Sequence, residues 1–226
     1  MPQGAGWYVR DELLASKEKT LAFLQNNHIQ WAAVNIRRLT AIKYLKPHVQ
    51  VWVYGLPEQW SPSKWRETLK ESVRVAKSLG VGLLANPENG WAHVPLAEKK
   101  NLGHALATCG VPVGFVTNDG QCVLAKVVGG ILGPAGGWGS PELYHHQLHA
   151  PYDWWKPILA RWEGYGYAAT VPSWGSLQAP HKLNDPRQFV GFFDALPGAK
   201  SKPGIVWPGH TPTESCELAV RRWSLR

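Results

Sequence analysis

The sequence is poor in cysteine and in long apolar runs, and each shortage excludes something. Its three cysteines (Cys109, Cys122, Cys216) show no CxxC spacing and are too few for a disulfide framework or a structural zinc site. No apolar run reaches 18 residues, which excludes a membrane-spanning helix. Charged residues make up only 18%, but hydrophobic residues make up 44%, so the chain has a core to bury and is not disordered. Met1 to Arg10 lack the basic, apolar, small-residue order of an export signal. The expectation is synthesis in the cytoplasm, with later release or assembly into a virion left open. No GxGxxG follows the first strand, and GxxxxGK[ST] and GxSxG are missing throughout, which counts against a dinucleotide site, a phosphate loop and a serine nucleophile. No repeat, low-complexity linker or composition break divides the chain, so residues 1–226 read as a single domain.

Positive charge and tryptophan are what the chain has in excess. Lysine and arginine number 24 against 16 acidic residues, a net charge of +8. Such a surface favours anionic partners. The basic residues are scattered in pairs such as Arg37-Arg38 and Lys99-Lys100, without a block or a recognisable nucleic-acid module, so nucleic acid is not the expected partner. The 13 tryptophans are the sharper anomaly. Roughly two-thirds of them are expected in the core, the rest being free to stack on a ligand. Oligomeric state is not legible.

Short apolar runs alternate with amphipathic stretches, the pattern of an α/β protein. The expected strands are Gly6–Val9, Ile29–Ile36, Val49–Tyr54, Val81–Ala85, Val111–Thr117, Glu142–Leu148, Tyr167–Val171 and Gly204–Trp207. Most are apolar without clean alternation, as strands buried on both faces of a parallel sheet are. Helix signals fall between them. Ser61-Pro62 opens a helix bearing Trp65, Leu69, Val73 and Ala76 and closing at Gly80. Pro95 opens another with Leu102, Ala105, Leu106 and Cys109 on one face. Asp185-Pro186 and the capping box Thr211-Pro212-Thr213-Glu214 open two more. Gln121 to Ser140, dense in glycine, reads as a long loop rather than a helix. Eight strands with intervening helices in a chain of this length predict a single (β/α)8 barrel.

In that fold the active site lies at the C-terminal ends of the strands. The candidates there are polar, aromatic and acidic: Asp11 after strand one, Arg37 after strand two, Tyr54 on strand three, and Asn86, Glu88 and Trp91 after strand four. Asp119 follows strand five, Trp174 strand seven, and Trp207 and His210 strand eight. A carboxyl group beside an amide and a tryptophan can hold a proton for a leaving oxygen, because an apolar ring raises its pKa. His145, His146 and His149 share a strand on which adjacent residues point to opposite faces, so no metal is expected, and no cofactor.

With those residues in place, the chain resembles the (β/α)8 glycoside hydrolases of the lysozyme-like muramidase and phage-lysin type. The strand-four Asp-x-Glu of that group stands here as Asn86-Pro87-Glu88. The resemblance implies a hydrolase of cell-wall or amino-sugar polysaccharide with Glu88 as general acid, and Asp119 or Asp11 as the second carboxylate. Asn86, Trp91, Trp174, Tyr54, Arg37, His210 and Trp207 would then bind the glycan, and an anionic envelope polysaccharide would be the partner. The alternative is a catalytically degenerate barrel that binds carbohydrate or serves as a structural module on a virion or cell surface.

Overall fold

A computed structural model describes residues 1–9, 14–88, 90–144, 155–176 and 204–208, with the side chains of all but 119, 144, 174–176 and 205–208 among them. Six strands, β1 (Ala5–Val9), β2 (Trp31–Asn35), β3 (Gln50–Tyr54), β4 (Gly82–Ala85), β5 (Val113–Asn118) and β6 (Trp138–Tyr144), pair in chain order into a curled, wholly parallel sheet. The ladder continues through β7 (Ser173–Ser176) to β8 (Gly204–Pro208), whose Gly204 lies opposite Ala5 of β1. The expected α/β class with a parallel sheet is what the structure shows. No helix among the described residues is long and apolar enough to cross a membrane.

The helices α1 (Lys17–Asn26), α2 (Leu39–Leu45), α3 (Trp65–Leu79), α4 (Leu96–Ala107), α5 (Cys122–Leu132) and α6 (Lys156–Glu163) form the connections. Ser16 caps α1, its hydroxyl accepting from Lys19 N at 3.3 Å. Helix α3 starts a turn later than Ser61-Pro62 suggested. Ser61 nonetheless anchors the entering turn, its carbonyl accepting from the Lys64 and Trp65 N–H groups. Gly80 ends α3 in the left-handed region at φ 61°, where a side chain would be strained. The helices beginning at Asp185 and Thr211 lie outside the described residues.

Two cores flank the sheet. The outer one joins Val34, Val53, Leu83 and Phe115 to helix residues such as Leu69, Leu102, Leu124 and Trp162. The inner one contains Tyr8, Trp31, Trp52, Tyr54, Leu84, Val116, Trp138 and Val171. Three of its members are tryptophans, and each lies in register beside a glycine of the next strand: Trp31 by Gly6, Trp52 by Gly82, Trp138 by Gly114. A methyl group on any of these glycines would overlap the neighbouring indole. All nine tryptophans with described side chains are buried.

The glycine-dense stretch is not a loop. Leu124, Ala125, Val128 and Leu132 bury one face of α5, and the glycines are contact points. Gly129 and Gly133 receive the 165–167 backbone and the Tyr167 ring, and Gly139 receives that ring again. Strand β6 therefore begins at Trp138, earlier than Glu142, and Glu142 moves from the expected start of the strand to its C-terminal half. Strand β7 lies later than expected. Tyr167 packs outside the sheet against Phe115 and Trp162, and Thr170 makes only an isolated bridge to Gly139.

Gly82→Ala should cost about 1–3 kcal/mol through overpacking against Trp52. Gly130→Ala, where nothing lies within 4 Å of the added methyl, should gain up to about 1 kcal/mol from helix propensity. Thermal melts of the two variants should move in opposite directions, each by about 2–4 °C per kcal/mol.

Candidate active site at the C-terminal edge of the sheet

Side chains alternate across a strand, so the inward set on β6 is Trp138, Ser140 and Glu142. The same alternation puts Tyr8 of β1 and Tyr54 of β3 in the inner cluster and carries on from Leu84 of β4 to Asn86. Ser173 of β7 lies in register beside Glu142. The curl of the sheet brings these positions together at its C-terminal edge.

Glu88 and Glu142 form the centre. Asn86 Nδ2 donates to Glu88 Oε1 at 3.0 Å, and the Glu142 side chain makes a second hydrogen-bonding contact with Glu88. Burial raises the Glu88 pKa above the ordinary 4.5, against the lowering effect of these two bonds, and the Glu58 carboxylate adds to the rise. Two carboxyl groups in contact cannot both ionise cheaply, so the pair shares a proton and titrates as a unit. Tyr8 is buried beside them. Desolvation pushes its phenol well above 10, and Glu142, Tyr54 and Glu88 push the same way, so Tyr8 keeps its proton as a donor. The Tyr8 and Tyr54 rings meet edge to face at 5.4 Å.

The loop carrying Glu88 is tied at both ends. Thr117 Oγ1 of β5 donates to Pro87 O at 2.6 Å, and Trp91 Nε1 donates to Trp60 O at 2.7 Å. The 3-10 turn Pro57–Trp60, which bears Glu58, is fixed in turn: Gln59 Oε1 accepts from Leu56 N at 2.8 Å, and Gln59 O accepts from Thr68 Oγ1 at 2.6 Å.

Of the residues expected from sequence, the structure brings together Glu88, Asn86 and Tyr54. Trp91 is a correction: its ring is fully buried, packs on Trp65 and spends its N–H on Trp60, so it has no face for a ligand. Arg37 is exposed, and the groups acting on Glu88 are Asn86, Glu142 and Glu58. Asp119 opens a 3-10 turn after β5, and Trp174 and Trp207 stand on β7 and β8, but the side chains of these three are not described. Asp11, His210 and the histidines at 145, 146 and 149 lie outside the described residues. Among the described residues no group of three His, Cys, Asp or Glu is placed to hold a metal ion. Sequence reasoning passed over Glu142 and Tyr8. Tyr8 shares the inward parity of Gly6, a signal that was available; Glu142 was hidden by the misplaced strand.

No family model and no curated protein matches the sequence. Solved structures do match in fold. A 3-keto-D-glucoside 4-epimerase from E. coli superposes with TM-score 0.58 at 10% identity, covering 98% of this chain and 97% of that one. A D-psicose 3-epimerase from Clostridium cellulolyticum H10 gives 0.57 at 10% identity, over 98% and 95%. A monomeric dihydrodipicolinate synthase variant gives 0.55 at 14% identity, over 99% and 72%. These are TIM-barrel enzymes of epimerase, aldolase and synthase type, and they overturn the resemblance to lysozyme-like glycoside hydrolases and the polysaccharide-cleaving or lysin function it implied.

Trp91→Ala should therefore act as a core deletion, costing about 3–5 kcal/mol. A melting temperature left unchanged, read by circular dichroism, would return the ring to the ligand site.

Proposed function

We propose that residues 1–226 form one (β/α)8 barrel and that the protein is an isomerase or epimerase that moves a proton on the carbon beside a carbonyl group of a small sugar or related metabolite. The observation that carries this reading is the hydrogen-bonded Glu88–Glu142 pair with the Tyr8 phenol beside it. Glu88, lacking the shared proton, removes the proton from carbon. Electrons of the broken C–H bond form the C=C bond of an enediol, and the carbonyl oxygen takes the proton of Glu142. The Tyr8 hydroxyl donates to that oxygen as charge develops on it. Reversal at the neighbouring carbon, with the Glu88 proton passing to that carbon and Glu142 taking the proton of the adjoining enediol hydroxyl, gives the product and restores the starting pair. A base with a pKa above the usual carboxylate range suits this work better than an ordinary one. The fold-level likeness to two sugar epimerases agrees with this chemistry. No lysine lies within the bounds of the strands, so an imine-forming amine would have to come from a loop.

Incubation in D2O with a panel of ketoses and aldoses, followed by proton NMR, tests the reading. Wild type should exchange the hydrogen beside the carbonyl of at least one sugar, and Glu88→Gln or Glu142→Gln should slow exchange by roughly 10²–10⁴-fold. Because the base must be ionised and its pKa is raised, the rate should start to fall on acidification while the pH is still above 4.5. Exchange that survives Glu88→Gln, or none across the panel, refutes the assignment.

A further inference from the structure

Below and beside the carboxyl pair, the inner face of the sheet buries polar atoms without a partner among the described residues. These are Asn86 Oδ1, Ser140 Oγ, Ser173 Oγ and the indole N–H groups of Trp52 and Trp138. The two serines are 0% exposed and Asn86 is 2% exposed. Trp31, in the same layer, shows the ordinary solution, donating to Gly4 O at 3.2 Å. A buried polar group without a partner costs on the order of 1–3 kcal/mol, and a cluster of them at one site calls for an occupant. Their placement is consistent: Ser173 lies in register beside Glu142, Ser140 is two residues before Glu142 on the same face, and Asn86 holds Glu88 through its other atom.

The chemistry of the set selects the occupant. Asn86 Oδ1 accepts only, the indoles donate only, and the serines do both. A hydroxyl group meets all three demands. A phosphate or carboxylate cannot donate to Asn86 Oδ1, and it would have to lie against the charge on Glu88. No strand carries an arginine or lysine to offset that charge. We propose that Ser140, Ser173 and Asn86 form a hydroxyl-binding subsite, and that the substrate is a small, uncharged, polyhydroxylated sugar rather than a phosphate ester or an oxo acid. The inference deepens the function proposed above and rests on the same site, but hydroxyl binding and proton transfer separate experimentally.

Calorimetric titration with sorbitol, 1,6-hexanediol and sorbitol 6-phosphate separates them, since none has a carbonyl to react. Sorbitol should bind wild type, with the diol and the phosphate at least tenfold weaker. Ser140→Ala and Ser173→Ala should each weaken sorbitol by about tenfold. Their melting temperatures should stay unchanged or rise, because each removes an unsatisfied hydroxyl. Sorbitol binding is read on wild type without turnover, so a failure of proton exchange would leave this result standing. The proposal is overturned if sorbitol does not bind, if the diol or the phosphate binds as well, or if the serine variants bind sorbitol unchanged. A drop of several degrees in the melting temperature of the serine variants also overturns it, since it would make the hydroxyls part of the folded core.

Discussion

The structure depends on a pairing of large with very small: the indoles of Trp31, Trp52 and Trp138 each lie beside a glycine in register on the adjacent strand. The inside of a curled parallel sheet must be filled to near-crystalline density, and branched aliphatic side chains in regular layers are the usual filling. Here three indoles fill it, meeting edge to face at 5.7 Å for Trp31 and Trp138 and 5.1 Å for Trp52 and Trp138. Rings of that size fit only where the neighbouring position has no side chain. The tryptophan excess of the sequence and the glycines within its strands are one feature seen from two sides.

That floor sets the height at which chemistry is possible. Above it stand Leu84, Val116 and Val171, and above them the polar edge with Tyr8, Asn86, Glu88 and Glu142. The groups at the edge are buried, and desolvation is the first cause of the raised pKa values of both Glu88 and Tyr8. The acidic centre coexists with a net charge of +8 because the two belong to different media. Surface lysines and arginines are screened by water and salt, whereas the buried pair responds to the few groups in contact with it.

Several elements were legible from residue pattern. Strands one to five fall within a few residues of their expected places, since apolar runs bounded by glycine, proline and polar residues leave little freedom. The Gly80 stop and the helix after Pro95 also hold. The stretch from Gln121 to Ser140 misled because glycine lowers intrinsic helix propensity, while its packing value is invisible without the partner. Only the position of Tyr165 to Tyr167 shows why Gly129 and Gly133 must be small. A sixth strand expected to begin at Glu142 puts that residue at the N-terminal end, whereas in the structure it lies in the C-terminal half of β6.

By itself, then, the sequence determined the alternation of strand and helix and the parallel character of the sheet, and it set Asn86 and Glu88 side by side after the fourth strand. These follow from local composition and from the period-two geometry of a strand, which need no knowledge of distant residues. Only the tertiary structure decided that Trp91 is core, that Arg37 stands in solvent, and that Glu88 meets Glu142 and Tyr8. The reason is that the curl of the sheet brings β1, β4 and β6 to one edge. The protonation of a carboxyl group there is set by burial and by the charges facing it, and both come from parts of the chain far apart in sequence.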